Sequence, residues 1–198
     1  VGRSTANTTP LEIAAVYGAA TPPGKLALAL GTAADFLAGE ASVSVRRVDL
    51  HEQALGVAGT RALEDQDEAT REVVLTIERA DGVLFASPVY RGSFPGVLKN
   101  LLDLLPLEAL RGKPVALVVV GATSHHYLGV DRHLRDVLAW FGALALPVSV
   151  YLTNEDFPDG LGETAKAELR ELAAGLVQLA RAVRGGLAGP PPLAARHG

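Results

Sequence analysis

The chain has 198 residues, 48% of them hydrophobic and 20% charged, with a net charge of −4 and no cysteine. That length supports one sizeable core rather than two, and the mild negative charge speaks against nucleic acid as a main partner. Without cysteine there is no disulfide framework, thiolate nucleophile or cysteine-ligated metal, which fits a cytoplasmic setting.

Residues 1–10 are polar and aperiodic, which predicts a flexible N-terminus. An apolar run over 11–17 ends at Gly18 and reads as a first buried strand. A loop at 18–24 and an Ala- and Leu-rich helix at 25–39 follow. Residues 43–50 alternate apolar and polar, the pattern of a strand at a sheet edge. An irregular connection at 51–66 leads to a charged amphipathic helix at 67–80. The apolar run 82–86 is too short for a helix and stops at a Ser-Pro turn, so it reads as a buried strand. After a loop at 87–94, Pro95 opens an amphipathic helix to Leu105, with Ser93 as its N-cap.

Residues 114–120 are the most apolar segment and predict a central strand, followed by a loop at 121–125 and a helix at 126–141. A fifth strand at 147–152, a turn-rich loop at 153–162 and a last helix at 163–184 complete the series. The tail 185–198, with Gly185-Gly186 and Pro190-Pro191-Pro192, is expected to be flexible. One uncharged window, 137–154, is long enough to raise a membrane span. Gly142 and Pro147 split it into a helix end and a buried strand, so no membrane segment is expected.

Five strands alternating with helices imply one α/β domain, 11–184, with a parallel sheet covered on both faces. Open sheets of this class place ligands beyond the carboxyl ends of their strands. The loop at 87–94, fed by the strand at 82–86, is such a place. Three other chemistries are disfavoured. Five residues separate Gly18 from Gly24-Lys25 where a P-loop has four, and Leu26 replaces its hydroxyl residue. His125, His126 and His133 lack a suitably paired carboxylate for a metal. Ser93 lies in G-S-F-P-G, which is not a hydrolase elbow.

Ser87-Pro88-Val89-Tyr90-Arg91-Gly92-Ser93, continued by Pro95-Gly96-Val97-Leu98-Lys99-Asn100 and Asp103, closely resembles a signature of the NAD(P)H-dependent FMN reductases. Leu101-Leu102-Asp103-Leu104-Leu105-Pro106 is most similar to the two-component members that feed reduced FMN to sulfonate-type monooxygenases. Gly121-Ala122-Thr123-Ser124 and Tyr127-Leu128-Gly129-Val130-Asp131 continue the likeness, although Arg132 stands where those members often have an aromatic residue. The resemblance implies a flavodoxin-like three-layer sandwich, strand order 2-1-3-4-5, and hydride transfer from NADPH or NADH to FMN.

It also implies where the flavin sits. Gly18, Thr21, Gly24 and Lys25 would hold the phosphate; Ser87, Pro88, Val89, Tyr90, Arg91, Gly92 and Ser93 would form the ring slot; Gly121, Ala122, Thr123 and Ser124 would face the ring edge. No side chain need act as acid or base, so no catalytic residue is expected. The family's phosphate loop carries hydroxyls where this chain has Ala19, Gly24 and Leu26, and Pro22-Pro23 removes two backbone donors, which predicts weak FMN binding. The alternatives are a tight-FMN reductase of quinones, azo dyes or metal oxyanions, and a flavodoxin-type electron carrier. Six apolar residues on the helix after the second loop, together with Trp140 outside its own helix's core stripe, predict a homodimer or homotetramer.

Overall fold

The computed structural model describes residues 9–59, 61–184 and 186. The expected flexible termini, 1–10 and 185–198, lie outside the described residues, apart from Thr9, Pro10 and Gly186. The first two are tied down by Arg184, which donates to both their carbonyls.

The sheet is parallel throughout, with Val43–Asp49 (β2), Leu11–Tyr17 (β1), Gly82–Pro88 (β3), Pro114–Val120 (β4) and Leu144–Ala145 (β5) side by side in that order. Its centre is β1 (Leu11–Tyr17), β3 (Gly82–Pro88) and β4 (Pro114–Val120), the three near-continuous apolar runs. Such runs are buried on both faces, and the period of two divides their side chains between two cores. Ile13, Ala15, Tyr17, Leu84, Ala86, Ala116 and Val118 pack against α1 (Lys25–Gly39) and α5 (Glu163–Val183). Ala14, Val16, Val83, Phe85, Val115, Leu117 and Val119 face the other way, against α2 (Glu68–Arg79), α3 (Gly96–Leu104) and α4 (Gly129–Trp140). β2 (Val43–Asp49) pairs only with β1, and its exposed Arg46 and Arg47 guard that edge against pairing with another chain.

Four expectations need correcting. Ser93 does not cap α3; the helix begins at Gly96 with Pro95 at the N-cap and no side-chain cap bond. Ser93 is instead drawn into the preceding loop by a partner on α4, described below. The fourth helix starts three residues later than its pattern suggested, because a separate 3₁₀ turn occupies Ser124–His126. The fifth strand is two pieces, β5 (Leu144–Ala145) and β6 (Val150–Leu152), both paired with β4. Pro147 has no N–H for the ladder, and its carbonyl turns to Arg135, 3.3 Å away. Finally, the apolar arc of α3 is spent on its own core: Leu98, Leu101, Leu102, Leu104 and Leu105 are buried.

The long connection after β2 is irregular but anchored. Asn100 donates to the Gly56 carbonyl at 2.8 Å and accepts from the Ala58 amide at 2.9 Å. Lys113 closes the far end of α2, donating to the carbonyls of Ile77 and Glu78 at 2.7 and 2.9 Å. Burial pushes its pKa down to about 8, against the opposing pull of Asp81 and Glu78. In the unfolded chain a lysine titrates near 10.4, so between about pH 8 and 10 the unfolded state binds more protons and this group's contribution to stability rises with pH. Urea unfolding of the wild type and Lys113→Met should therefore diverge, the wild type gaining roughly 2 kcal/mol on the variant between pH 7 and 10. A pH-independent difference would contradict it.

Candidate active site

Because β1, β3 and β4 are neighbours, their three C-terminal loops meet at one rim. Short extensions of the ladder fix the base of each loop. The Gly18 amide donates to the Ala86 carbonyl at 2.8 Å, Val89 to Val120 at 3.1 Å, and Gly121 to Leu152 at 2.9 Å. Those amides are therefore spent on the scaffold. A Cβ at Gly18 would lie 2.7 Å from the Ala86 carbonyl oxygen, so this glycine serves strand packing. Ser87 is fully buried and its hydroxyl turns to the Pro88 carbonyl. Gly18, Ser87 and Gly121 thus sit beneath the rim, while Thr21, Gly24, Lys25, Tyr90, Arg91, Ala122, Thr123 and Ser124 are exposed on it.

In the first loop the Ala20, Thr21 and Pro22 carbonyls are held, while the amides of the helix turn that follows are open. The Tyr17 hydroxyl donates to the Thr21 and Pro22 carbonyls at 3.2 and 3.3 Å, and the Ala20 carbonyl lies 2.9 Å from His51 Nδ1. Burial raises the Tyr17 pKa, with Asp49 and Tyr90 adding to the effect and the contact with Thr21 opposing it, so the hydroxyl stays a donor. The first intrahelical bond of α1 runs from the Leu28 amide to the Gly24 carbonyl. The Lys25, Leu26 and Ala27 amides find no acceptor among the described residues, and no side chain caps the helix. A long helix ending in open donors favours an anion. The Lys25 ammonium is held to one side, 2.8 Å from Asn154 Oδ1 and 5.4 Å from the Phe157 ring centre.

The second loop is a tight reversal. Tyr90 and Ser93 exchange backbone hydrogen bonds of 2.7 and 3.0 Å, and both residues between them are left-handed, Arg91 at φ 53° and Gly92 at φ 76°. This is the signature of a type I′ turn, with arginine at a position that asparagine or glycine fills more easily. Two contacts from α4 seat it. Ser93 Oγ lies 2.9 Å from His133 Nδ1, and a Cβ on Gly129 would run into the Gly92 carbonyl. Tyr90 stands on the rim, 46% exposed.

The third loop is propped from below by Tyr151 of β6, whose hydroxyl donates to the Thr123 carbonyl at 2.7 Å. Burial raises its pKa, so it too remains a donor. The Tyr127 ring meets it edge-on at 5.6 Å. Thr123 caps the 3₁₀ turn, its hydroxyl lying 3.4 Å from the His125 amide and 3.1 Å from His125 Nδ1. The Ala122, Thr123 and Ser124 amides have no acceptor among the described residues. Sequence reasoning missed Tyr17, Tyr151, His51 and His133. All four hold the loops, and nothing in their local sequence marks them.

The chain matches the family model for NADPH-dependent FMN reductase over residues 11–157. It belongs to that family. This FMN reductase is 35% identical over 165 residues to the FMN reductase (NADPH) of Pseudomonas aeruginosa, covering 82% of this chain and 89% of that one. It is 32% identical over 163 residues to the NADH-dependent FMN reductase SfnF of Pseudomonas fluorescens, covering 81% and 87%. The apo form of the NADH:FMN oxidoreductase EMOB shares its fold, with a TM-score of 0.72 at 24% identity over 91% and 92% of the two chains. FMN and a reduced nicotinamide are therefore its reactants. Among the described residues no helix is long and apolar enough to cross a membrane.

Proposed function

We propose that this FMN reductase holds FMN loosely on the three-loop rim, as a substrate, and releases it reduced to a flavin-dependent monooxygenase in the cytoplasm. The observation that carries this is the first loop: an open helix N-terminus with few other donors and a lysine turned elsewhere. The donor set suits a phosphate dianion, since the free amides of Lys25, Leu26 and Ala27 and the Thr21 hydroxyl border the space beside Gly24, where a Cβ would touch nothing. Tyr90 flanks the ring, the turn at Arg91 and Gly92 borders it, and the Ala122–Ser124 amides face its edge; Gly18, Ser87, Pro88, Val89, Ser93 and Gly121 shape the floor. When flavin is bound, hydride passes from the nicotinamide C4 to its N5, and the protein supplies position and fixed dipoles.

Ala19 and Leu26 are buried in the core, so hydroxyls at those two positions would point away from the rim. What counts is the missing side chain at Gly24, the missing amides at Pro22 and Pro23, and the Lys25 ammonium spent on Asn154. Hydrogen bonds to charged groups contribute roughly 1.5–3 kcal/mol each, so the absence of two weakens FMN at least a hundredfold against a fully equipped loop. The monooxygenase reading rests on the resemblance of the Leu101–Pro106 stretch to the two-component members of the family.

A homodimer or homotetramer is part of the same proposal, resting on Trp140 and Leu107, 51% and 46% exposed near α3 and α4. Sedimentation at micromolar concentration should show no monomer. Purified protein mixed with NADPH should oxidise it only when free FMN is added. Quinone reduction by flavin retained through purification would indicate the tight-FMN alternative, and no nicotinamide oxidation at all would indicate an electron carrier.

A further inference from the structure

The turn at the tip of the second loop carries a residue that its backbone does not favour. Arg91 is left-handed at φ 53°, and Ser42 is the one other non-glycine in that region among the described residues. Glycine and asparagine take this place in a type I′ turn at little cost, whereas the arginine Cβ crowds the following carbonyl. The turn has no room to relax. Tyr90 and Ser93 close it with mutual backbone bonds, and Ser93 and Gly92 are seated against His133 and Gly129 of α4.

The Arg91 side chain does nothing for the fold. Arg71, Arg135, Arg181 and Arg184 each donate to a backbone carbonyl, and Arg47 and Arg111 pair with carboxylates. Arg91 is exposed and enters no hydrogen bond, ion pair or ring contact among the described residues. A strained residue kept without a structural contact points to a ligand.

The charge of the rim says which ligand. Across the three loops, 18–24, 87–94 and 121–125, Arg91 is the one Lys, Arg, Asp or Glu residue. Two nucleotides bring phosphate to this enzyme, FMN and the reduced nicotinamide. The open N-terminus of α1 serves the first, and the Ala122–Ser124 amides face the ring edge. Arg91 is left for the second.

We propose that Arg91 anchors the nicotinamide nucleotide by its phosphate, the guanidinium forking onto the diphosphate or the 2′-phosphate. This rests on flavin lying on the three-loop rim. A nicotinamide stacked on the flavin puts its C4 over N5 and carries its phosphates out past the turn that borders the ring. An arginine fork takes two phosphate oxygens at once and stays charged throughout the working pH range. Set on a turn that cannot shift, it holds the donor in register while the hydride passes.

Arg91→Asn tests this, because asparagine accepts the left-handed position and leaves the turn in place. Its thermal midpoint should be no lower than the wild type's; a lowered midpoint would give the arginine a structural role and overturn the proposal. In saturating FMN, kcat/KM for NADPH should fall roughly ten- to a hundredfold, mostly through KM, and calorimetric affinity for NADP⁺ should fall by the same factor. The loss with N-benzyl dihydronicotinamide, a hydride donor without phosphate, should be severalfold smaller. A loss shared by NADPH and NADH assigns the fork to the diphosphate, and a loss with NADPH alone assigns it to the 2′-phosphate. Equal losses with phosphate-bearing and phosphate-free donors overturn the proposal, as does unchanged affinity for NADP⁺. So does an equal loss of FMN affinity, which would put the guanidinium on the flavin's own phosphate. Tyr90→Ala reads the underlying rim separately: unchanged FMN affinity there would take flavin off the rim and overturn both readings.

Discussion

Gly129→Ala is expected to lower kcat/KM for FMN reduction by roughly ten- to a hundredfold while leaving the fold intact. Gly129 is the first residue of α4, where alanine is the better helix former by up to about 1 kcal/mol. The added Cβ, however, meets the Gly92 carbonyl, which is backbone in a turn of two left-handed residues closed by mutual hydrogen bonds. No side chain can rotate to relieve it, so the turn must lift, taking Tyr90 and Arg91 with it and loosening the Ser93–His133 contact. Misplacement on the order of 1 Å at a reacting site costs about a hundredfold. The thermal midpoint should stay within a few degrees of the wild type, about the shift that 1 kcal/mol makes in a chain of this size. Steady-state kinetics with FMN as the varied substrate read the effect; wild-type kinetics in a folded variant would show that the turn does not touch flavin.

Gly121→Ala should cost about a hundredfold in kcat, through a different chain of contacts. The new Cβ falls on the Tyr151 hydroxyl, 2.9 Å from Cζ and 3.2 Å from a methyl of Val89. Tyr151 must swing away, giving up the Thr123 carbonyl and its edge contact with Tyr127. The Ala122, Thr123 and Ser124 amides then lose their fixed direction, and losing one preorganised donor at a developing negative charge costs roughly a hundred- to a thousandfold. Tyr151→Phe alone removes one hydrogen bond and leaves the ring in place, so about a fivefold loss is expected. Combined, the two changes should cost no more than Gly121→Ala alone, because they act on one contact. Additive losses would contradict this account of the loop.

Much of this was legible in the residues. The apolar runs at 11–17 and 114–120 and the helix at 25–39 have the same bounds in the structure, because proline, glycine or a charged residue bounds each of them. Ser93 was misread because its partner, His133, is 40 residues away, and a capping pattern cannot see across that separation. Nothing in the sequence tells that Ala19 and Leu26 face the core rather than the rim, since facing is decided by the turn geometry after Gly18. The loop supports were invisible for a related reason. Tyr17 ends a strand and Tyr151 lies in a three-residue one, and only the register of the sheet tells which loop each hydroxyl reaches.

The central claim is that FMN visits this protein rather than residing in it. Equilibrium titration of FMN into flavin-free protein, followed by quenching of flavin fluorescence, tests it most directly. The open first loop predicts a dissociation constant in the micromolar range, roughly −8 kcal/mol of binding free energy. A nanomolar constant would contradict it and make the flavin a resident cofactor.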